Sequence, residues 1–160
     1  MRTTPPTELV EAALSDTRTN AHRVRQLIVD LCSPDGSNFA VARARVGADI
    51  SHTYWAAVRH LARHNIVVTE TTTESGRRTF YGTYFSDEDI LNTLTARATF
   101  YIRRAQEHVL TKPDLDQATL TYAWQHTSSS DHTTIKLIVS HPNCPPDILR
   151  LCANRHIGRD

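Results

Sequence analysis

The stretch Ser51–Gly82, "SHTYWAAVRHLARHNIVVTETTTESGRRTFYG", changes character twice. It opens with helical spacing, passes into a β-branched run, breaks at Ser75-Gly76 and resumes as a second β-rich segment led by Arg77 and Arg78. At 100° per residue from His52, the side chains of Tyr54, Ala57, Val58, Leu61 and Asn65 fall between roughly 140° and 240°. His52, Ala56, Arg59 and Arg63 lie within about 40° of zero, on the opposite side, flanked by His60 and Trp55. One face is built for a core. The other carries cations around a small residue, Ala56, that lets the helix approach a partner closely.

The positive face has the size and chemistry for a DNA major groove, which is about 12 Å wide and admits one α-helix. Arg59 and Arg63 would reach guanine edges or phosphates. His52 and Thr53, at the helix start, would contact phosphates with backbone N–H groups. The β-rich runs on either side of Ser75-Gly76 read as a two-stranded hairpin. Arg77 and Arg78 at its turn would hold the flanking backbone. The reading of the same face as a merely solvated Arg/His surface stands beside this one. Tyr54 and Trp55 read as packing residues ahead of stacking platforms.

Upstream, residues 1–7 with Pro5 and Pro6 read as a loose arm, and "TELVEAAL" as a short helix capped by Thr7. Asn20 is placed to cap a next helix, in which Val24, Leu27, Ile28 and Leu31 recur at helical spacing. "SPDGSN" (33–38) ends it. "FAVARARVGADI" follows, with Phe39, Ala42 and Val46 on one face and a stop at Gly47. The short link to the helix at Ser51 has the geometry of a helix-turn-helix.

Residues 21–84 therefore resemble a winged helix-turn-helix domain of the kind found in bacterial regulators. The resemblance rests on "AHRVRQLIVDLC", "FAVARARVG", "ISHTYWAAVRHLARHNIVV" and the wing "TETTTESGRRTFYGTY". Asn65 stands where Gly is frequent in that family, and Asn tolerates the left-handed conformation well. The resemblance implies a DNA-binding regulator, and implies DNA contacts for His52, Thr53, Ala56, Arg59, His60, Arg63, Arg77 and Arg78.

From Ser86 the pattern is helical again. Ser86 with Asp89 forms a capping box, and the acids at 87–89 suit the positive end of a helix dipole. Ile90, Leu94, Ala98, Ile102, Ala105 and Val109 make one stripe, read as a long connecting helix over 86–112 that Lys112-Pro113 terminates. Two uses compete for the stripe: a homodimer through the 86–112 helix, or burial within one chain as a spacer, with the spacer favoured.

Residues 113–160 read as short helices near 115–126 and 132–140 and a last helix in "DILRLCANRH". The segment "TTIKLIVSHPNCPPDILRLCAN" (133–154) resembles one unit of a variant leucine-rich α-helical repeat, although a solenoid needs about three. It also reads as a second helix-turn-helix in which Arg150, Arg155, His156 and Arg159 add phosphate contacts. His141, Cys144, Cys152 and His156 can be set out as zinc ligands, but the loop between the pairs is shorter than structural zinc sites use, and both cysteines suit a core.

The bulk numbers bound this. The chain has 160 residues, 39% hydrophobic, and a net charge of +1. Arginine is concentrated: Ala21–Gly82 carries eight Arg against five acids. Any attraction to nucleic acid is thus local. Three scattered cysteines argue for a reducing cytosol, and no run approaches a membrane span. The N-terminus lacks the apolar region of a secretory signal. No Gly-rich phosphate loop, G-x-S-x-G elbow or H-E-x-x-H is present, so no enzyme, cofactor or metal is expected. The expected architecture is mainly α: an N-terminal arm and short helix (1–20), a winged helix-turn-helix with a two-stranded β-hairpin wing (21–85), the long helix (86–112) and a helical C-terminal region (113–160). The expected function is a sequence-specific regulator of double-stranded DNA, most simply a cytoplasmic repressor of bacterial, plasmid or phage origin. The alternative is a winged-helix adaptor that docks on another protein.

Overall fold

The computed structural model describes residues 3–38, 50–72, 74–92 and 100–157. Among them are eight helices and one small antiparallel sheet. In chain order these are α1 (Thr7–Ser15), α2 (His22–Cys32), β1 (Ser37–Asn38), α3 (Ile50–Ala62), β2 (Ile66–Thr72), β3 (Arg78–Tyr84), α4 (Asp87–Asn92), α5 (Phe100–Val109), α6 (Gln117–His126), α7 (His132–Val139) and α8 (Pro146–Ile157). The expected helix over "FAVARARVG", with Phe39, Ala42, Val46 and Gly47, lies outside the described residues. No helix is long and apolar enough to cross a membrane, among the described residues.

The hairpin has the expected turn. β2 and β3 pair from Ile66↔Tyr84 to Thr72↔Arg78. Gly76, at φ 81°, supplies the left-handed residue that closes it. A third strand was not expected: Ser37–Asn38 pairs with Thr79 and Phe80, giving the order β1-β3-β2. Gly36 makes this pairing possible. Its φ is 65°, and a Cβ there would sit 2.5 Å from the Tyr81 ring. Gly82 in β3 allows the end of α2 to close on the sheet, since a Cβ would meet Cys32 Sγ at 3.1 Å.

Two apolar cores meet at β2. Ile66 and Val68 pack with Leu27, Ile28 and Leu31 of α2 and Ala57, Val58 and Leu61 of α3. Val67, on the other face, packs with Ile90 and Leu91 of α4, Ala105 and Val109 of α5, and Leu110. Burial on both faces is why this strand reads as a continuous apolar run instead of an alternation. Ala62, 3% exposed, extends the second core onto the edge of α3 that faces α5.

Several expectations need correction. The arm is not loose at its end: Pro5 is buried, and Tyr84 N donates to Thr3 O at 3.0 Å. The residues preceding α1 and α2 are Pro6 and Ala21, and neither Thr7 nor Asn20 makes a capping bond there. The single long helix over 86–112 is replaced by α4 and α5 packed against each other. Gln106 Nε2 donates to Ile90 O at 3.3 Å. A straight helix would hold two residues that far apart in sequence roughly 24 Å from each other. Residues 93–99, with Leu94 and Ala98 of the stripe, lie outside the described residues. Of the stripe's other members, Ile90, Ala105 and Val109 are buried within the chain and Ile102 is half-buried against the same core.

Asn65 joins the two halves. It adopts φ 63°, as its Gly-like position predicts. Its Nδ2 donates to Asp87 Oδ1 at 2.5 Å, and Lys112 Nζ donates to Asn65 Oδ1 at 3.1 Å and to Asp87 Oδ1 at 2.7 Å. Burial raises the Asp87 pKa, but the bonds from Lys112 and Asn65 lower it further, to a net value below the ordinary one. Asn65→Ala is expected to lower unfolding stability by about 2 kcal/mol, combining left-handed strain with lost hydrogen bonds. Asn65→Gly should cost roughly half that, because it removes only the bonds. Urea melts of the two variants check this; equal losses would contradict the backbone part.

Candidate functional site

Helix α3 is positioned from behind. Ala57, Val58 and Leu61 are fully buried, and the Tyr54 ring meets Trp55 at 5.5 Å and Phe80 at 6.0 Å, edge to face in both cases. Both aromatic residues are half-buried packing groups. The face turned away from this core holds His52 and Arg59, both exposed, with Thr53, Ala56 and His60 half-buried, and Arg63, also exposed, follows in the turn just after Ala62. Among the described residues neither Arg59 nor Arg63 has a side-chain hydrogen bond or ion pair. Arg59 and His60 also lie in the last turn of α3, where positive charge suits the helix dipole.

The imidazoles behave differently from the guanidiniums. His64 Nε2 lies 2.6 Å from Asp16 Oδ2, so it ties α3 to the end of α1. That bond holds the Asp16 carboxyl below its usual pKa. His60 Nδ1 is buried without a hydrogen-bond partner among the described residues. Burial first, then the nearby Arg63, push the His60 pKa below the ordinary imidazole value. Both effects favour the neutral form of the His60 ring at the edge of the cationic stripe.

The wing arginines divide. Arg77 is exposed beside the turn. Arg78 is committed to the hairpin itself: its Nε and Nη2 both donate to the Glu70 carboxylate, the second at 3.1 Å, and its guanidinium lies 5.6 Å from the Phe80 ring centre. It braces the strands across the ladder, a use that the reading of two outward arginines did not include.

The C-terminal half of α3 borders a groove of about 320 Å³. One wall is Arg59, Ala62 and Arg63. The other comes from Arg104, Glu107 and His108 of α5, with Thr111 just after it, and from Thr133 and Leu137 of α7. The far wall is locked in place. Arg103 donates to both carboxylate oxygens of Asp131, Nη1 to Oδ2 at 2.8 Å and Nη2 to Oδ1 at 2.5 Å. Asp131 also caps α7, accepting from Thr134 N at 3.1 Å and Thr134 Oγ1 at 2.6 Å. The Arg103 bond, aided by Thr134, outweighs burial and holds the Asp131 pKa down to about 2.

Arg104 and Thr133 were not among the expected site residues. Nothing in linear spacing brings Arg104 beside Arg59. The turn "SHPNCPP" (140–146) has a structural use. His141 Nε2 bonds Lys112 O at 2.6 Å while its Nδ1 accepts from Asn143 N at 3.0 Å. Asn143 Nδ2 donates to Pro113 O and Leu115 O. These bonds pin the α7–α8 turn to the α5–α6 turn. Both His141 nitrogens are thereby occupied, and Cys144 is buried. Among the described residues no three His, Cys, Asp or Glu side chains gather as a metal site. Arg150 bonds Asp147, and the side chains of Arg155, His156 and Arg159 lie outside the described residues. Asp116 caps α6, accepting from Thr119 N at 2.7 Å.

No family model, curated protein or solved structure matches the chain.

Because the Asp131 pKa is lowered by folding, its contribution to stability is complete above the unfolded value near 4 and fades as pH falls through 2. After allowance for solvent screening it amounts to about 1 kcal/mol. Asp131→Asn keeps a capping residue and removes the charge. Urea unfolding at pH 7 and at pH 2 should show the variant weaker than the parent at pH 7 and close to it at pH 2. An equal gap at both values would contradict the ion-pair assignment.

Proposed function

We propose that this protein is a sequence-specific regulator that binds double-stranded DNA through α3, with residues 21–84 acting as a winged helix-turn-helix. The observation that carries the reading is the pair Arg59, on the face of α3 opposite its buried side, and Arg63, in the turn just after the helix, both exposed and without ion-pair partners among the described residues. Unpaired, rigidly based arginines at i and i+4 match a row of phosphates or a guanine edge better than they serve stability. The order α2, β1, α3, β2, β3, with a hairpin directly after α3, supports the winged reading. Its remaining helix would fall in 39–49, outside the described residues.

In this reading His52, Thr53 and Ala56 lie at the end of α3 that enters the groove. Arg59 and Arg63 grip beside it, and Arg77 reaches the flanking backbone. Arg78 acts by stiffening the wing, and His60 contributes shape, not charge. Occupying a promoter-overlapping site would make the protein most simply a repressor, working in the cytoplasm of a bacterium or on plasmid or phage DNA. One observation favours the adaptor reading instead: α5 and α7 stand beside the C-terminal half of α3 and limit how deeply that half can enter a groove.

Salt separates the two. Duplex DNA selected from a random pool should bind with an affinity that falls steeply as salt rises. Arg59→Ala with Arg63→Ala should weaken binding at least about thirtyfold and flatten the slope of log affinity against log salt by about 2. Fluorescence anisotropy measures both. A double variant that binds as tightly as the parent would remove α3 from the interface, and salt-independent association would favour the adaptor.

A further inference from the structure

We infer that the groove between α3, α5 and α7 is a binding site for one phosphate group, held by Arg59, Arg63 and Arg104 together. Among the described residues three arginines line the groove against one carboxylate, Glu107. That carboxylate is shared: it lies 3.8 Å from Arg104 and 3.7 Å from Arg103. Arg103 is matched by Asp131 and Arg104 by Glu107, so the net positive charge at the groove comes from Arg59 and Arg63, with Arg104 on the opposite wall from an element far apart in sequence. Like charges converging on one concavity are unfavourable unless an anion completes the site.

The groove's shape and lining agree. Its volume, about 320 Å³, lies at the lower end of small-ligand sites. Ala62 and Leu137 give it an apolar part, which strengthens any charge interaction beside it. Thr133, exposed in the first turn of α7, adds a hydroxyl on the far wall. Guanidinium forks match the oxygens of a phosphate in a way that ammonium groups do not. The field is also felt locally. His108 is held below the ordinary imidazole pKa by burial, then by Arg63, Lys112 and His64, with Asp16 opposing.

The wall itself is rigid. Arg103, next to Arg104, clamps the cap of α7 through Asp131, so Thr133 and Arg104 keep their spacing. A site whose parts are fixed before binding loses little entropy on occupation.

The phosphate comes either from the backbone of a bound duplex or from a free phosphorylated small molecule. The inference shares Arg59 and Arg63 with the DNA reading but does not require it. In the test, the full chain is titrated with inorganic phosphate at fixed ionic strength, sodium chloride serving as the control. Arginine Nε–H and threonine amide NMR signals are followed. Saturable shifts at Arg59, Arg63, Arg104 and Thr133 are expected, absent with chloride. Arg104→Ala should weaken binding about tenfold. Thr133→Val, which leaves every arginine in place, should weaken it less.

A second arm uses the selected duplex. If Arg104→Ala also weakens duplex binding about tenfold, the phosphate is the backbone's. If duplex affinity is unchanged, a free phosphorylated ligand is the occupant. A parent that binds phosphate but no duplex keeps the groove and loses the DNA reading. A parent with no saturable response to phosphate, or variants at Arg104 and Thr133 that bind phosphate as the parent does, would overturn the inference.

Discussion

Strand β2 is shared by two cores, and the arrangement of everything around it follows from that. Ile66 and Val68 face α2 and α3, while Val67 faces α4 and α5. Each face needs its own cover, so helices must lie on both sides of a sheet that has only one long hairpin. Helix α3, joined to β2 by the turn through Asn65, is caught between them. Its back meets the first core, and Ala62 on its edge meets the second. What remains open to solvent is one narrow face, and that is where His52, Arg59 and Arg63 stand.

The same constraint makes the groove. Because α5 covers Val67, it must also run beside α3, and Arg104 then lies across from Arg59 and Arg63. The polar node of Asn65, Asp87 and Lys112 fixes this approach from the turn side, and the Arg103–Asp131 pair fixes α7 beyond it. A cationic surface on a helix is common and worth little as an argument. Two arginines without ion pairs among the described residues, lining a small cavity that has Arg104 on its other wall, are harder to account for without an anion.

Where local chemistry decides structure, the chain was legible. The two faces of α3 follow from the helical period. The left-handed residue at Asn65, the turn at Ser75-Gly76 and the Ser86 cap, which accepts from Asp89 N at 3.2 Å, follow from what those side chains can do nearby. Where distant segments decide, the reading ran out. Ser37–Asn38 is a strand only because β3 offers it a partner, and two residues among turn formers carry no pattern of their own. The stripe from Ile90 to Val109 keeps helical period across a fold-back, since both halves bury an apolar face. Arg78 looks like any wing cation until Glu70 is seen on the neighbouring strand. The groove was invisible for the same reason, because its walls are far apart in sequence.

The placement of α5 against both β2 and the edge of α3 is the claim on which the site depends, and methyl–methyl nuclear Overhauser contacts test it most directly. On the full chain in solution, the Ala62 methyl should show contacts to methyls of α5, Ala105 and Val109 first among them, with Val67 doing the same. Contacts from Ala62 confined to α2 and the sheet would contradict it, since α5 would then stand away from α3 and no second wall would face Arg59 and Arg63.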